Sequence, residues 1–296
     1  MGVFDPYPSR LSTPQGLVAR KEPGVYGQEP MGAGLTREQW QSYADNGFLV
    51  IPHYFSGEET AHYKQALQAL LADKELAQAP NAITEPDSGA IRSLFAFHQQ
   101  PGVLAQLVQD PRLLSVAQAI LGSPVYLHQT RANFKPGFVG KSFYWHSDFE
   151  TWHVEDGMPR MRAVSCSILL TDNAAYNGPL MLIPGSHRYF VPCLGQTPEQ
   201  HHQQSLKRQQ YGVPSQEHLS QLVEQGGIHT VEAPAGSVVF FDCNTLHAST
   251  ENISPMARSN LFMVYNSVKN PLQAPKYGLA PRPDFLAHRQ SFKAVG

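Results

Sequence analysis

From Pro124 onward the chain is written in short apolar or alternating runs, each broken by Gly, Pro, Asn or Asp: VYLHQTRANFK, SFYWHSDFETW, AVSCSILLT, LMLIP, IHTVEA, SVVFFD and NLFMVYNSV. Strand-length runs at this spacing predict an antiparallel sandwich or barrel rather than alternating βαβ units. Upstream the period changes. Thr36-Arg37-Glu38-Gln39 is a capping-box pattern that opens a helix, Gly47 closes it, and the run FLVIPHYF comes next as a strand. Ser56 to about Glu75 predicts a second helix with Tyr63, Ala66, Leu67, Leu70 and Leu71 on one stripe, and Asp110-Pro111 opens a third that ends at Gly122. Residues 1–35, rich in Pro and Gly without periodicity, read as an irregular arm wrapped on the body of the domain.

The expected organisation is a single domain over residues 1–296: arm and helices over 1–123, a β core over 124–270 and a tail over 271–296. That length can bury a sizeable core, and no shift in composition divides it. The polar run from about 195 to 227, rich in Gln, interrupts the strands and is expected to be a lid or a disordered segment. With 42% hydrophobic residues and a formal charge of -2, the composition argues against nucleic acid as a partner. No run approaches membrane-spanning length, and the N-terminal MGVFDPYPSR lacks the apolar core of a signal peptide. Cys166, Cys193 and Cys243 are odd in number and widely spaced, which fits a reducing cytoplasm better than a disulfide framework.

Chemistry concentrates in FYWHSDFETWH, residues 143–153. Read as an extended strand, this run turns His146 and Asp148 to one face, with Tyr144, Glu150 and Trp152 on the same side. His-x-Asp alone is weak evidence for a metal. Downstream, PAGSVVFFDCNTLHAS places a glycine turn, an apolar strand and then His247 just beyond the strand's end. Two histidines and one carboxylate form a facial triad that leaves coordination positions of Fe(II) open, unlike a closed structural zinc site. Arg258, opening the last strand, is suited to bidentate capture of a dicarboxylate such as 2-oxoglutarate. The rival pair His153 and Glu155 has the opposite parity and runs into the Asp156-Gly157 turn, so both are expected on the rim or facing away. Glu150 would overfill the triad and reads as support. On the preceding strand Gln129, Arg131, Asn133 and Lys135 share one face, which is costly in an interior strand unless something polar binds there.

His146-x-Asp148, the run NGPLMLIPGSH from Asn177 to His187, the glycine-turn strand before His247, and Arg258 resemble the phytanoyl-CoA dioxygenase family of Fe(II)/2-oxoglutarate oxygenases. Within that family, FYWHSDFETWHVEDGMP from Phe143 to Pro159 is similar to the signature of bacterial ectoine hydroxylases. The resemblance implies a mainly β fold with flanking helices, built on a double-stranded β-helix of the jelly-roll or cupin-like kind. It implies iron held by His146, Asp148 and His247, 2-oxoglutarate contacted by Lys135 and Arg258, and O2 as second cosubstrate. Gln129, Trp152 and Arg282 match substrate contacts, the last for the carboxylate of ectoine. The implied reaction is hydroxylation of ectoine with release of succinate and CO2, and the resemblance suggests a homodimer. The same chemistry on another amino-acid derivative or an acyl thioester, and a non-catalytic barrel holding zinc, are the competing readings. Asp148 disfavours a halogenase, which replaces the carboxylate ligand to admit chloride.

Overall fold

The computed structural model describes residues 5–28, 34–84, 89, 91–198 and 212–296. Residue 5 onward forms the expected arm, whose Tyr7, Ser9 and Arg10 are buried and whose short strand β1 (Val18–Ala19) returns to the body. Helix α1 (Arg37–Asn46) starts where Thr36 accepts from the Gln39 amide while the Gln39 side chain accepts from the Thr36 amide. It ends at Gly47, in the left-handed region at φ 79, where a Cβ would collide with the His187 ring. Strand β2 (Phe48–Ile51) comes next, and Ser56 and Glu59 form a second capping box for α2 (Gly57–Ala72). Next come β3 (Ala82–Thr84), β4 (Ile91–Phe95), α3 (Val103–Leu107) and α4 (Pro111–Leu121), the last capped by the Asp110 side chain on the Arg112 amide. The three predicted helices all form within a few residues of their expected bounds.

Strand β5 (Val125–Lys135) is followed by β6 (Phe143–His146), helix α5 (Asp148–Asp156), β7 (Ala163–Leu169), β8 (Leu180–Leu182) and β9 (Tyr189–Phe190). Helix α6 (Gln216–Gly226), β10 (His229–Thr230), β11 (Val238–Asp242), β12 (His247–Ser249) and β13 (Arg258–Ser267) are the remaining α-helix and strands among the described residues. The expected lid over 195–227 falls partly on residues 199–211, outside the described residues. Of the rest, α6 buries Leu219 and Leu222 against Ile183, Val191 and Leu246.

A seven-stranded antiparallel sheet runs β2-β11-β7-β13-β5-β4-β3, facing a four-stranded sheet β10-β8-β12-β6, while β1 pairs with β9. This is an antiparallel sandwich, as the strand series predicted, in the jelly-roll form that the family resemblance implied. Alternation along β13 sorts the two faces of the large sheet. Leu261, Met263 and Tyr265 join the cluster formed with Leu67 of α2 and Leu113, Val116 and Ala117 of α4. Phe262, from the other face, packs with Leu180, Leu182 and Phe241 between the sheets. Each of these buried large apolar side chains contributes roughly 1.5–3 kcal/mol. The helices thus seal the outer face, leaving the inner face for Arg258 and its polar neighbours.

The run SFYWHSDFETW is not one strand. β6 stops at His146, and Ser147, extended at φ -108 and ψ 130, leads directly into α5. Asp148 and Glu150 in the first turn complement the positive end of the helix, and the Phe149 amide donates to the Cys243 carbonyl at 2.8 Å instead of to a strand partner. Gly157, at φ 68, closes the helix. Strand parity therefore does not place Glu150 and Trp152. Trp152 shares a helix face with Asp148 because the two are four residues apart.

Candidate metal centre

His146 is the last residue of β6, His247 the first of β12, and the two are direct partners across the antiparallel pair. Their ring centroids lie 4.3 Å apart. Asp148, at the first turn of α5, brings Oδ1 to 3.8 Å from Nε2 of each histidine. One ligand atom from each of the three lies within 4.8 Å of the others, the separation a single ion would need. The His146 Nδ1 donates to the Tyr144 carbonyl at 2.7 Å and the His247 Nδ1 to the Thr245 carbonyl at 3.0 Å, since a carbonyl can only accept. Both Nε2 atoms are thereby left with lone pairs facing Asp148. Burial, reinforced by neighbouring His247, pushes the His146 imidazole down to about 4, so it is neutral and ready to ligate at pH 7. The second oxygen of Asp148 accepts from Ser165 Oγ on β7 at 3.5 Å.

Around this triad the inner face of the large sheet is cationic. Arg258 and Lys135 are direct register partners on β13 and β5. Arg258 is 3% exposed, yet its Nε and one Nη have no hydrogen-bond partner. Burial, with Arg131 adding repulsion, pushes its guanidinium down to about 10. Lys135 Nζ donates to Ser249 Oγ at 2.9 Å and to the Thr250 carbonyl. Arg131 lies over the Phe143 and Phe262 rings with its Nε unpartnered. Buried guanidinium donors left open on both strands are what a dicarboxylate would satisfy.

The residues that the resemblance matches to substrate contacts divide. Trp152 is buried with Phe149, Val264 and Ala163 and stands edge-on to His128 at 4.9 Å. Gln129 donates to the Leu286 carbonyl at 2.6 Å. Arg282 is held by Asp156 at 2.8 Å, with a Glu155 oxygen 3.7 Å away. Tyr144, expected beside the ligands, is 47% exposed, and only its carbonyl serves the site. His153 and Glu155 do face away from the ligands, but they are not on a rim: both are buried, His153 bonded to the Met158 carbonyl and Asp5, Glu155 to Arg10. Glu150 serves as support, since it accepts from Ser9 Oγ at 2.6 Å and from Arg10 Nε and Nη2 at 2.7 and 3.0 Å.

Sequence reasoning assigned no role to Arg131, although alternation had put it on the Lys135 face. It missed Ser165, whose neighbours in AVSCSILLT read as plain core, and Arg10, which sits in a stretch without periodicity. Neither Ser165 nor Arg10 carries a local signal. Only the fold brings them to the metal strand and helix.

A jelly roll whose inner face carries two histidines and one aspartate within ligand distance, beside open buried cations, defines a non-haem Fe(II) oxygenase of the 2-oxoglutarate-dependent class. The family model for phytanoyl-CoA dioxygenase (PhyH) matches residues 43–260, and the chain belongs to that family. It is 57% identical over 291 residues to an ectoine dioxygenase of Bordetella bronchiseptica, covering 98% of this chain and 94% of that one. It is 52% identical to an ectoine dioxygenase of Stutzerimonas stutzeri, covering 98% of this chain and 96% of that one. Among solved structures, EctD from S. alaskensis with 2-oxoglutarate and 5-hydroxyectoine superposes with a TM-score of 0.89 at 44% identity, covering 99% of this chain and 97% of that chain.

Proposed function

We infer that this protein is an Fe(II)- and 2-oxoglutarate-dependent dioxygenase that hydroxylates ectoine to 5-hydroxyectoine, with release of succinate and CO2. The observation that carries the reading is the near-full-length likeness to a protein solved with 2-oxoglutarate and 5-hydroxyectoine, in a chain that keeps the triad and its open cations.

The residues present fit these groups. His146, Asp148 and His247 would hold the iron, with both Nε2 atoms free and the carboxylate anchored by Ser165. Bound there, Fe(II) supplies the coupling of O2 activation to oxidative decarboxylation of 2-oxoglutarate. Arg258, whose buried donors are open, takes the distal carboxylate of 2-oxoglutarate, and Lys135 adds its charge from the next strand. Ectoine is a small zwitterion with a delocalised amidinium and a carboxylate. Trp152, on the same helix face as Asp148, offers an aromatic surface for the cation. Gln129 and Arg282 take the acid after giving up part of their present bonds to Leu286 and Asp156. The burial of Trp152 excludes water around the reacting carbon.

Among the described residues no helix is long and apolar enough to cross a membrane, and all three cysteines are free and buried. Both observations are compatible with a cytoplasmic enzyme. The homodimer implied by the family is tested by sedimentation equilibrium of the purified chain. For the reaction itself, succinate release is measured with ectoine, another amino-acid derivative or an acyl thioester added to the iron- and 2-oxoglutarate-loaded protein. Stimulation by ectoine alone is expected, and stimulation by another solute without ectoine refutes the substrate assignment.

A further inference from the structure

His128 is the residue of β5 that has no partner on β13, because the register slips between Gln129↔Val264 and Leu127↔Tyr265. A bulge at this point re-aims a side chain, and bulges cluster beside functional sites. The ring is fully buried and stands 4.9 Å from Trp152, the aromatic residue four places along the helix from Asp148. Neither ring nitrogen has a hydrogen-bond partner. A packed core histidine ordinarily satisfies at least one nitrogen, as His153 does through the Met158 carbonyl. Two unmet polar atoms in one buried ring are destabilising unless a ligand or a bound water completes them. The charges that reach His128 are Arg282, Arg289, Asp148 and His288, so it lies within electrostatic range of both the metal carboxylate and the arginine assigned to the substrate acid.

We propose that His128 is a further substrate-binding residue, whose imidazole hydrogen-bonds the zwitterionic substrate where it lies against Trp152. Burial first, then Arg282 and Arg289, push the imidazole down to about 3, so it is neutral at working pH. One nitrogen then donates and the other accepts. That pairing complements a substrate that offers amidinium N–H donors and carboxylate acceptors within one small ring. A lysine or arginine in its place would repel the amidinium. The assignment rests on the ectoine reading above and names one more contact of the same site.

The test compares wild type with His128→Phe, which keeps the aromatic packing on Trp152 and removes both nitrogens. KM for ectoine and for 2-oxoglutarate, iron stoichiometry and thermal midpoint are measured in parallel on iron-loaded protein. The expected result is a rise in KM for ectoine of about tenfold or more, the loss of one good hydrogen bond. KM for 2-oxoglutarate and iron content should stay within about twofold, and the midpoint should be unchanged or raised because an unsatisfied polar group has been removed. An unchanged KM for ectoine overturns the proposal, as does a parallel rise in both KM values. If His128→Phe does not accumulate as folded protein, His128→Leu carries the same comparison. Wild type that fails to respond to ectoine refutes the substrate reading; wild type that responds while the variant matches it refutes only the role of His128.

Discussion

The Arg10–Glu150 pair joins the N-terminal arm to the helix that carries Asp148 and Trp152, and breaking it should be among the most destabilising single changes in the protein. Both side chains are 2% exposed, and the carboxylate takes two bonds from one guanidinium and a third from Ser9. Removing one partner of such a buried pair costs about 3–5 kcal/mol, because the other charge is left without compensation. Glu150→Ala leaves Arg10 with Glu155 at 3.1 Å and Thr197 at 3.0 Å, which puts its cost near the lower end, about 3 kcal/mol. That corresponds to a fall in midpoint of roughly 6–12 °C. Arg10→Met leaves Glu150 and Glu155 buried together with Arg282 as the nearer remaining cation for Glu155, so its cost lies toward about 5 kcal/mol. The double variant Arg10→Met/Glu150→Ala removes both charges and should fall short of the sum of the two single costs by about 1–3 kcal/mol. Urea unfolding of wild type and the three variants closes the cycle. Additivity to within about 0.5 kcal/mol would refute the claim that the pair acts as a unit.

Three further outcomes are expected. His146→Ala should abolish iron binding and turnover, whereas His153→Ala should leave the iron stoichiometry of the folded protein unchanged; metal analysis after reconstitution decides, and loss of iron from the second variant would mean the ligands are wrongly assigned. Arg258→Met should raise KM for 2-oxoglutarate by about 10–100-fold, the equivalent of about 1.5–3 kcal/mol for hydrogen bonds to a charged group, without lowering iron content; an unchanged KM would remove Arg258 from that role. In the metal-free protein, burial holds His146 and His98 at about 4 and His128 at about 3, below the ordinary 6.5. The unfolded chain takes up those protons first as pH falls, so stability should decline from about pH 6.5 down to about pH 3 and be flat above about pH 7 with respect to these groups. Urea titrations across that range check the slope, and stability rising toward pH 4 would contradict it.

The architecture was legible where a local pattern carries it. Capping boxes at Thr36 and Ser56 and the Asp110-Pro111 start mark helices through bonds within one turn, and the full span of β5 could be read from its composition. The three residues that converge as candidate ligands were also legible, since His146 and Asp148 are close in sequence and His247 comes after a glycine-turn strand. The conformation between them was not. The residues SDFETW have strand-like parity, but the acidic first turn and the Phe149 bond to the Cys243 carbonyl select a helix. That choice depends on the residue just past β11, far along the sequence, and no window around Phe149 contains it. The strands β3 and β4 were missed for a similar reason, because they are defined by pairing onto the edge of β5. Arg10, Ser165 and His128 acquire their surroundings only when arm, sheet and helix meet.

At the site formed by His146, Asp148 and His247, one atom of O2 should enter ectoine while the other enters succinate. The most direct test is turnover under 18O2 in ordinary water with ectoine and 2-oxoglutarate, followed by mass spectrometry of both products. 5-Hydroxyectoine and succinate should each carry one heavy oxygen and form in equal amounts. A hydroxyl oxygen drawn from water, or succinate formed with ectoine left unmodified, would contradict it.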